Sequence, residues 1–236
     1  MKYTILKIIN IIYKLKNSFM KPSAFKNNTI VLEKNILGNI RLNIQGYNNI
    51  VRLSNMHVNP WTVIQINIYG HNNEIVIDDV YIGEKLLILQ GQDHPYFGEV
   101  HDSVLKIGKG TSIEGMRYIT YNSNSHCSIG NGCMVSTDVT LFNTDAHPII
   151  DTDTGNIINK VDGITIGNHC WVGEGSSVLK NSKLPNNCII GYKAVVSGEF
   201  KEEYAAYAGN PARCVKKKIT WSSNGKEHGY IDNVIG

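Results

Sequence analysis

Aliphatic residues recur every six positions through much of the second half of the chain. The series starts at Ile107, restarts after a slip of four residues at Ile129, and returns unbroken from Ile166 to Val196. A strand has a period of two and a helix a period of about 3.6, so neither produces this spacing alone. A tight turn after each short strand does produce it, and the pattern therefore predicts an all-β solenoid. The side chains predicted to point inward are Ile107, Ile113, Ile119, Ile129, Val135, Leu141, Ile166, Val172, Val178, Leu184, Ile190 and Val196.

A weaker repeat precedes this region. The segment Leu42–Asn49 recurs 24 residues later as Ile66–Asn73, and Val51–Leu53 is echoed by Ile75–Ile77. Repeats of this kind indicate stacked units that bury their apolar faces against one another. The strict period of six is missing before residue 100, so the pattern does not determine the coil boundaries there.

The first 21 residues follow a helical period instead. This predicts an amphipathic basic helix with one apolar and one polar face. Polar residues interrupt the apolar stretch, which argues against a secretory signal. Two roles are open for this helix, packing on the domain or a neighbouring subunit and docking on an anionic membrane surface. The apolar face would carry Ile5, Ile8, Ile9, Ile12 and Leu15, and the polar face Lys7, Asn10, Lys14, Asn17 and Lys21.

Composition narrows the class of protein. Hydrophobic residues make up 42% of the 236 positions and charged residues 18%, with a formal net charge of +3. This balance argues against disorder and is too weakly basic to indicate a nucleic-acid partner. Five cysteines without a C-x-x-C pair argue against a disulfide framework and a zinc ribbon. No apolar run is long enough to span a bilayer, so we expect a soluble protein of a reducing, cytoplasmic compartment.

The six-residue series has one long interruption, between Leu141 and Ile166, and we expect residues 143–163 to form a loop that leaves the solenoid. Loops that project from a rigid scaffold commonly carry function. His147 stands where the series would next place an inward aliphatic residue, and Asp145 lies two residues before it. An imidazole is neutral and yet basic near pH 7, so His147 is a candidate general base. A plain loop start is the alternative interpretation of Asp145.

The repeat resembles that of the hexapeptide-repeat acyltransferases, whose fold is a left-handed parallel β-helix with three faces per coil. In that fold positions 18 apart stack, which implies that Cys170 and Cys188 stack as buried small residues. The loop and the strands after it are most similar to those of the capsular polysaccharide and polysialic acid O-acetyltransferases. The matching residues are Asp145, His147, Pro148, Ile149, Asp151, Thr154, Gly155, Ile164, Ile166, Gly167, His169, Trp171 and Gly173.

This resemblance implies an acetyl-CoA-dependent O-acetyltransferase that acts on a surface polysaccharide or a sialic-acid-type sugar. His147 would take the proton of the sugar hydroxyl as its oxygen attacks the thioester, and Asp145 would hold the imidazole tautomer or touch the acceptor. Trp171 would pack on the pantetheine arm and donate its Nε1–H to the developing oxyanion. An outward aromatic residue that covers a subunit contact is the alternative for Trp171. For His169 a structural or acceptor-facing role is expected.

The segment Gly209–Lys218 closely matches the Gly-Asn-Pro-Ala-basic segment of the same family, where basic residues meet the phosphates of CoA. A solvated tail is the alternative for Lys216–Lys218. Ser197–Glu199 departs from the Thr-Lys pair that is common in the family, so Lys193 or Lys217 would replace one phosphate contact. No metal is expected. The residues implied to bind the cofactor are Gly173, Glu174, Gly191, Tyr192, Lys193, Ser197, Arg213, Lys216 and Lys217.

The resemblance further implies a homotrimer with active sites between subunits. We predict a helix and linker at 1–29, a left-handed β-helix acyltransferase domain at 30–200, and a C-terminal extension at 201–236 that contributes to CoA binding. Residues 1–21 would provide a peripheral contact with the inner face of a membrane. Two other functions stay open. One is a non-catalytic glycan-binding solenoid, and the other is a zinc-dependent γ-type carbonic anhydrase, in which Glu174 would stand in place of the third histidine after His147 and His169.

Overall fold

The computed structural model describes residues 19–20, 27–32, 38–94 and 97–223. In these ranges the chain forms strands and turns, and no helix is present that could cross a membrane. The strands in chain order are β1 (Phe19–Met20), β2 (Thr29–Leu32), β3 (Asn39–Gln45), β4 (Ile50–Ser54), β5 (His57–Val58), β6 (Val63–His71), β7 (Glu74–Asp78), β8 (Val80–Gln90), β9 (Val100–His101), β10 (Val104–Ile107), β11 (Thr111–Thr120), β12 (His126–Ile129), β13 (Met134–Val135), β14 (Val139–Phe142), β15 (Gly163–Ile166), β16 (Trp171–Val172), β17 (Ser177–Leu179), β18 (Lys183–Leu184), β19 (Ile189–Ile190), β20 (Val195–Val196), β21 (Ala205–Ala208) and β22 (Arg213–Lys217).

The amphipathic helix predicted over residues 1–21 lies mostly outside the described residues. The prediction is wrong at its end, because Phe19 and Met20 are extended and pair in parallel with Arg41 and Leu42 of β3. Pairing with an existing strand satisfies the backbone groups of these two residues through the neighbouring coil.

The strands wind into a solenoid with three faces. Face A contains β2, β4, β7, β10, β12, β15 and β18, paired in that order. β8 and β11 bend at an edge, so their first residues lie on face B and their later residues on face C. Face B also contains β5, β13, β16, β19 and β21, and face C also contains β3, β6, β14, β17 and β20. Within the described ranges these strands pair in parallel, except that β22 runs antiparallel to β21. The predicted all-β architecture with parallel strands is confirmed.

The six-residue period corresponds to one face per hexapeptide in the later coils. Trp171 pairs with Ile189 and Ser177 with Val195, so neighbours are 18 residues apart there. In the earlier coils the spacing is wider, as between Ile40 and Ile64. Many of the extra residues lengthen the strands of face C, where β3 and β6 have 7 and 9 residues but β17 and β20 have 3 and 2, so the strict period is missing from the first half.

The predicted inward series is confirmed at every position except Ile119, with each of the other side chains at most 3% exposed. The prediction for Ile119 is wrong, because the fully buried Tyr118 takes the inward position on β11 and pairs with the inward Leu141. Between face B and face C, the inward residues Ile113 and Tyr118 are five positions apart. Their partners in the next coil, Val135 and Leu141, are six apart, so this coil has one residue fewer at the edge. The inward and outward phases of the strand are exchanged as a result.

The 24-residue repeat has a structural cause. Asn49 and Asn73 are fully buried at successive turns from face C to face A. The Nδ2 of Asn73 donates to the Oδ1 of Asn49 at 3.0 Å and to the carbonyl oxygen of Val100 at 2.7 Å. The Oδ1 of Asn73 accepts the N–H of Ser103 at 3.1 Å. Each asparagine side chain thus satisfies backbone groups of the following coil and donates to the asparagine side chain of the preceding one, so the buried turns keep their hydrogen bonds.

Cysteines stack inside face B. Cys133, Cys170 and Cys188 are buried and unpaired, and the N–H of Cys170 lies 3.4 Å from the Sγ of Cys133. The hydrogen bond with Cys170 and burial raise the pKa of the Cys133 thiol, and burial raises that of Cys127. A hydrogen bond with Cys170 lowers the pKa of the Cys188 thiol, but Cys133, Cys170 and Cys188 are each at most 2% exposed, and inaccessible thiols are poor nucleophiles. The predicted stacking of Cys170 on Cys188 is confirmed, and both serve to fill the core.

Candidate functional site

The interruption after Leu141 forms an ordered loop at the edge between faces C and A, called the C–A edge below. The chain leaves face C after β14 and returns to face A at β15. Ile150 and Ile157 form an antiparallel bridge, and the N–H of Ile158 donates to the carbonyl oxygen of Ile149 at 3.0 Å. At the tip, hydrogen bonds from Thr154 lower the pKa of Asp151. The loop is therefore a hairpin that projects from the solenoid.

His147 lies at the base of this hairpin with an exposed side chain. Its N–H donates to the carbonyl oxygen of Asp145 at 2.7 Å. Its ring centroid lies 5.9 Å from that of Phe97, which in turn stacks on Tyr121 at 4.4 Å. An imidazole beside an aromatic wall and open to solvent is accessible to an acceptor hydroxyl.

Asp145 is half-buried, and its carboxylate contacts residues that the sequence did not single out. The Oδ2 accepts a hydrogen bond from Asn159 Nδ2 at 2.8 Å and lies 3.2 Å from Lys180 Nζ. The same Nδ2 of Asn159 donates to the carbonyl oxygen of His147 at 2.9 Å. Asp145 therefore acts on His147 through the backbone of the loop and Asn159.

Asn159 and Lys180 are the residues that sequence reasoning missed here. Asn159 also accepts the N–H of Ile149 through its Oδ1 at 2.8 Å, so one side chain joins both arms of the hairpin. Lys180 comes from the C–A edge after β17 and has a side chain only 17% exposed. Both residues contact Asp145 only because the loop folds back onto the solenoid. No repeat or motif in the sequence therefore indicated them.

Trp171 points outward from face B and has partners on both sides. Its Nε1–H donates to the Oγ of Ser136 at 3.2 Å. Trp221, almost buried, is tilted against it with ring centroids 6.3 Å apart. Trp221 stacks on His169 at 4.6 Å and donates its Nε1–H to the carbonyl oxygen of His169 at 2.9 Å. The C-terminal extension thus returns across face B and supports Trp171, a contact that sequence spacing did not reveal.

His147 and Trp171 occupy different parts of the solenoid. His147 belongs to the C–A edge, whereas Trp171 lies on face B, which is opposite that edge in a coil of three faces. One chain therefore does not bring the two side chains to a common site.

Five of the residues implied in cofactor binding lie together at the edge between faces B and C, called the B–C edge. Glu174, Tyr192 and Lys193 are exposed there, and the Lys193 Nζ lies 5.0 Å from the centre of the Tyr192 ring. Gly173 and Gly191 complete this group. A Cβ at Gly173 would meet the carbonyl oxygen of Ile190 at 2.6 Å, so close packing of the coils is sufficient reason for glycine at this position.

The remaining candidates are distributed over other parts of the C-terminal region. Arg213, Lys216 and Lys217 are exposed on β22, which extends face B beyond β21, and Lys217 forms an ion pair of 2.8 Å with Glu202. Ser197 follows face C and lies at the C–A edge, away from the B–C edge group. In the described part of the chain, no group of three or more His, Cys, Asp or Glu side chains is arranged to hold a metal ion.

Comparison with known proteins connects this geometry to a family. The polysialic acid O-acetyltransferase of Neisseria meningitidis is 31% identical over 201 residues, which cover 83% of this chain and 86% of that protein. The solved structure of the polysialic acid O-acetyltransferase OatWY matches with a TM-score of 0.71 and 30% identity, over 92% of this chain and 95% of that one. The chain belongs to the family of the polysialic acid O-acetyltransferases.

The other comparisons extend this result. A polysialic acid O-acetyltransferase of Escherichia coli O1:K1 / APEC is 32% identical over 120 residues, but the match spans 51% of this chain and only 38% of that relative. The structure of the polySia specific acetyltransferase NeuO, 23% identical with a TM-score of 0.65 over 92% of this chain and 88% of that one, shows the shared fold. No protein-family model matches the chain. The predicted O-acetyltransferase family and enzyme class are confirmed.

Proposed function

We propose that the protein transfers the acetyl group of acetyl-CoA to a hydroxyl of a sialic acid polymer. The observation that carries this proposal is the exposed His147, held on an ordered hairpin of a solenoid shared with relatives that are named for this acceptor. Acetyl-CoA as donor is supported by the same relatives and by the exposed cations near the C-terminal end of the solenoid.

Direct transfer of the acetyl group from the thioester to the acceptor hydroxyl would use His147 and Trp171. His147 would remove the proton of the acceptor hydroxyl while its oxygen forms a bond to the thioester carbonyl carbon. Trp171 would turn its Nε1–H from Ser136 to the carbonyl oxygen that becomes negative. When the C–S bond breaks, the imidazolium of His147 would return the proton to the departing thiolate. No nucleophilic side chain is needed, and the buried cysteines of face B are unsuited to that role.

A homotrimer would complete the site. His147 and Trp171 lie on opposite sides of one solenoid, so we infer that the site combines His147 of one subunit with Trp171 of its neighbour. The B–C edge would receive the pantetheine arm through Glu174 and Tyr192, and Lys193 and Arg213 would meet the phosphates. Lys216 and Lys217 extend this cationic surface, and Ser197, which lies at the C–A edge, stays a prediction as a cofactor contact.

Other expectations remain part of this proposal. A left-handed winding of the coils is inferred from the family of the relatives. A cytoplasmic location is supported by five free cysteines and by the use of acetyl-CoA. A peripheral membrane contact through residues 1–21 stays a prediction, and most of this segment lies outside the described residues.

The test of the reaction is thiol release from acetyl-CoA with a panel of sialic acid polymers and neutral glycans. We expect acceptor-dependent release by the wild type and a loss of at least about 100-fold in His147→Ala, the range of general-base catalysis. His57→Ala is the matched control, since His57 is an exposed histidine with a side chain 71% accessible on an early coil. Unchanged release in His147→Ala would refute the role of the base, and failure to bind acetyl-CoA would refute the transferase.

Complementation tests the shared site. His147→Ala and Trp171→Ala subunits are each expected to be nearly inactive. When the two are unfolded and refolded together, mixed trimers contain interfaces with an intact His147 and an intact Trp171, so activity returns in part. If activity does not return although mixed trimers form, the two residues do not belong to one intersubunit site.

A further inference from the structure

A polar cleft lies on the outer surface of face C, on coils that precede the B–C edge group. Its volume is about 320 Å³, within the range of small-molecule sites. The polar side chains that line it are Glu84, Lys85, Arg117, Thr137, Asp138 and Thr140. None of these residues was singled out by the sequence patterns or by the roles assigned above.

The cleft contains two cations without a carboxylate partner. Lys85 and Arg117 are exposed on adjacent strands of face C. In the described ranges, no ion pair within 4 Å joins either of them to Glu84 or Asp138. Their charges are therefore available to an anionic ligand.

The guanidinium of Arg117 is held in place by the next coil. Its Nε and Nη2 lie 3.3 and 3.2 Å from the Oγ1 of Thr140, which pairs with Arg117 in register. One edge of the fork is thereby fixed, and the remaining N–H groups can meet a carboxylate. A planar guanidinium suits a carboxylate better than the point charge of a lysine does.

The cleft lies next to the residues that contact Trp171 and to the B–C edge. Thr137 directly follows Ser136, the residue that accepts the Trp171 Nε1–H. The N–H of Gly175 donates to the carbonyl oxygen of Thr137 at 3.0 Å, so the cleft lies one coil from Glu174 at the B–C edge. A ligand in the cleft would therefore border the groove proposed for the thioester.

We propose that this cleft binds an acidic sugar unit of the acceptor. Arg117 and Lys85 take the carboxylate, while Thr137 and the carboxylates of Glu84 and Asp138 bind sugar hydroxyls. The mixed charge favours an acidic ligand that also carries hydroxyl groups, because these donate to Glu84 and Asp138, whereas a polyanion without hydroxyl groups meets only repulsion from the two carboxylates. This assignment rests on the proposed function, since it names how its acceptor is recognised.

The test compares Arg117→Ala, Arg117→Lys and the control Arg52→Ala, whose arginine is exposed on face A. Kinetics are measured with acetyl-CoA and sialic acid oligomers, and calorimetry measures binding of the same oligomers without acetyl-CoA. Loss of a charge-assisted hydrogen bond corresponds to roughly a 10- to 100-fold weaker interaction. We expect Arg117→Ala to raise the KM and Kd for the oligomer by that factor, with the KM for acetyl-CoA within about twofold.

The outcomes distinguish a failure of the cleft assignment from a failure of the proposed acetyl transfer. Partial recovery in Arg117→Lys and wild-type values in Arg52→Ala would support the assignment. An oligomer Kd that is the same in Arg117→Ala and wild type would overturn it, even when transfer proceeds normally. If the wild type transfers no acetyl group to any acidic sugar, the proposed function fails. Calorimetry then still decides whether the cleft binds an acidic sugar through Arg117.

Discussion

The side chain of Asn159 holds the loop that carries His147 in its observed conformation through hydrogen bonds. It makes three hydrogen bonds, to Asp145 Oδ2 at 2.8 Å, to the carbonyl oxygen of His147 at 2.9 Å, and from the N–H of Ile149 at 2.8 Å. At about 1 kcal/mol each, these bonds favour the observed loop by roughly 3 kcal/mol. If catalysis requires this conformation, Asn159→Ala lowers kcat by roughly 100-fold.

Steady-state kinetics with acetyl-CoA and an active acceptor check this expectation. The KM for acetyl-CoA should stay within about twofold, because the hydrogen bonds of the Asn159 side chain are made within its own loop and not with the B–C edge. The variant should keep its β-sheet circular dichroism, since the aliphatic core does not include the loop. Asn156→Ala is the matched control, because the hydrogen bonds of Asn156 in the described structure come from its backbone. A kcat within twofold of wild type in a folded Asn159→Ala would refute the positioning role.

The remaining predictions concern the solenoid and its C-terminal support. Asn73→Ala removes three buried side-chain hydrogen bonds and should lower the free energy of unfolding by about 3 kcal/mol in urea titrations, against less than about 0.5 kcal/mol for the outward-facing Asn67→Ala. Trp221→Ala should raise the KM for acetyl-CoA by about 2- to 10-fold through loss of an aromatic contact with Trp171, while Trp221→Phe stays close to wild type; equal values for both variants would contradict this. Native alkylation followed by mass spectrometry should modify Cys214 alone, because the other cysteines are buried, and rapid labelling of a second thiol would disprove it.

The periodicity of the chain determined the fold to a large extent. Side chains six residues apart point inward only if a turn recurs after each short strand, so the spacing from Ile166 to Val196 encodes the coil directly. The error at Ile119 shows the limit of this argument. A single residue fewer at one edge exchanges inward and outward positions, and the local sequence does not reveal where an edge is shortened.

Part of the site was also predicted from the chemistry of individual residues. The break in the series located the loop, and His147 is the kind of side chain that a poor hydroxyl nucleophile requires. The family that the residues resemble was confirmed by the comparisons.

Only the tertiary structure decided how these residues are held and where they lie. Asn159 reaches Asp145 across 14 positions and Trp221 reaches His169 across 52, and such contacts leave no periodic trace in the sequence. The separation of His147 from Trp171 is likewise a property of the coil, because sequence distance does not state which face a residue occupies. The aliphatic pattern is local and repetitive and so can be read along the chain, whereas the site depends on unique contacts that form when a loop and a terminus fold back onto the solenoid.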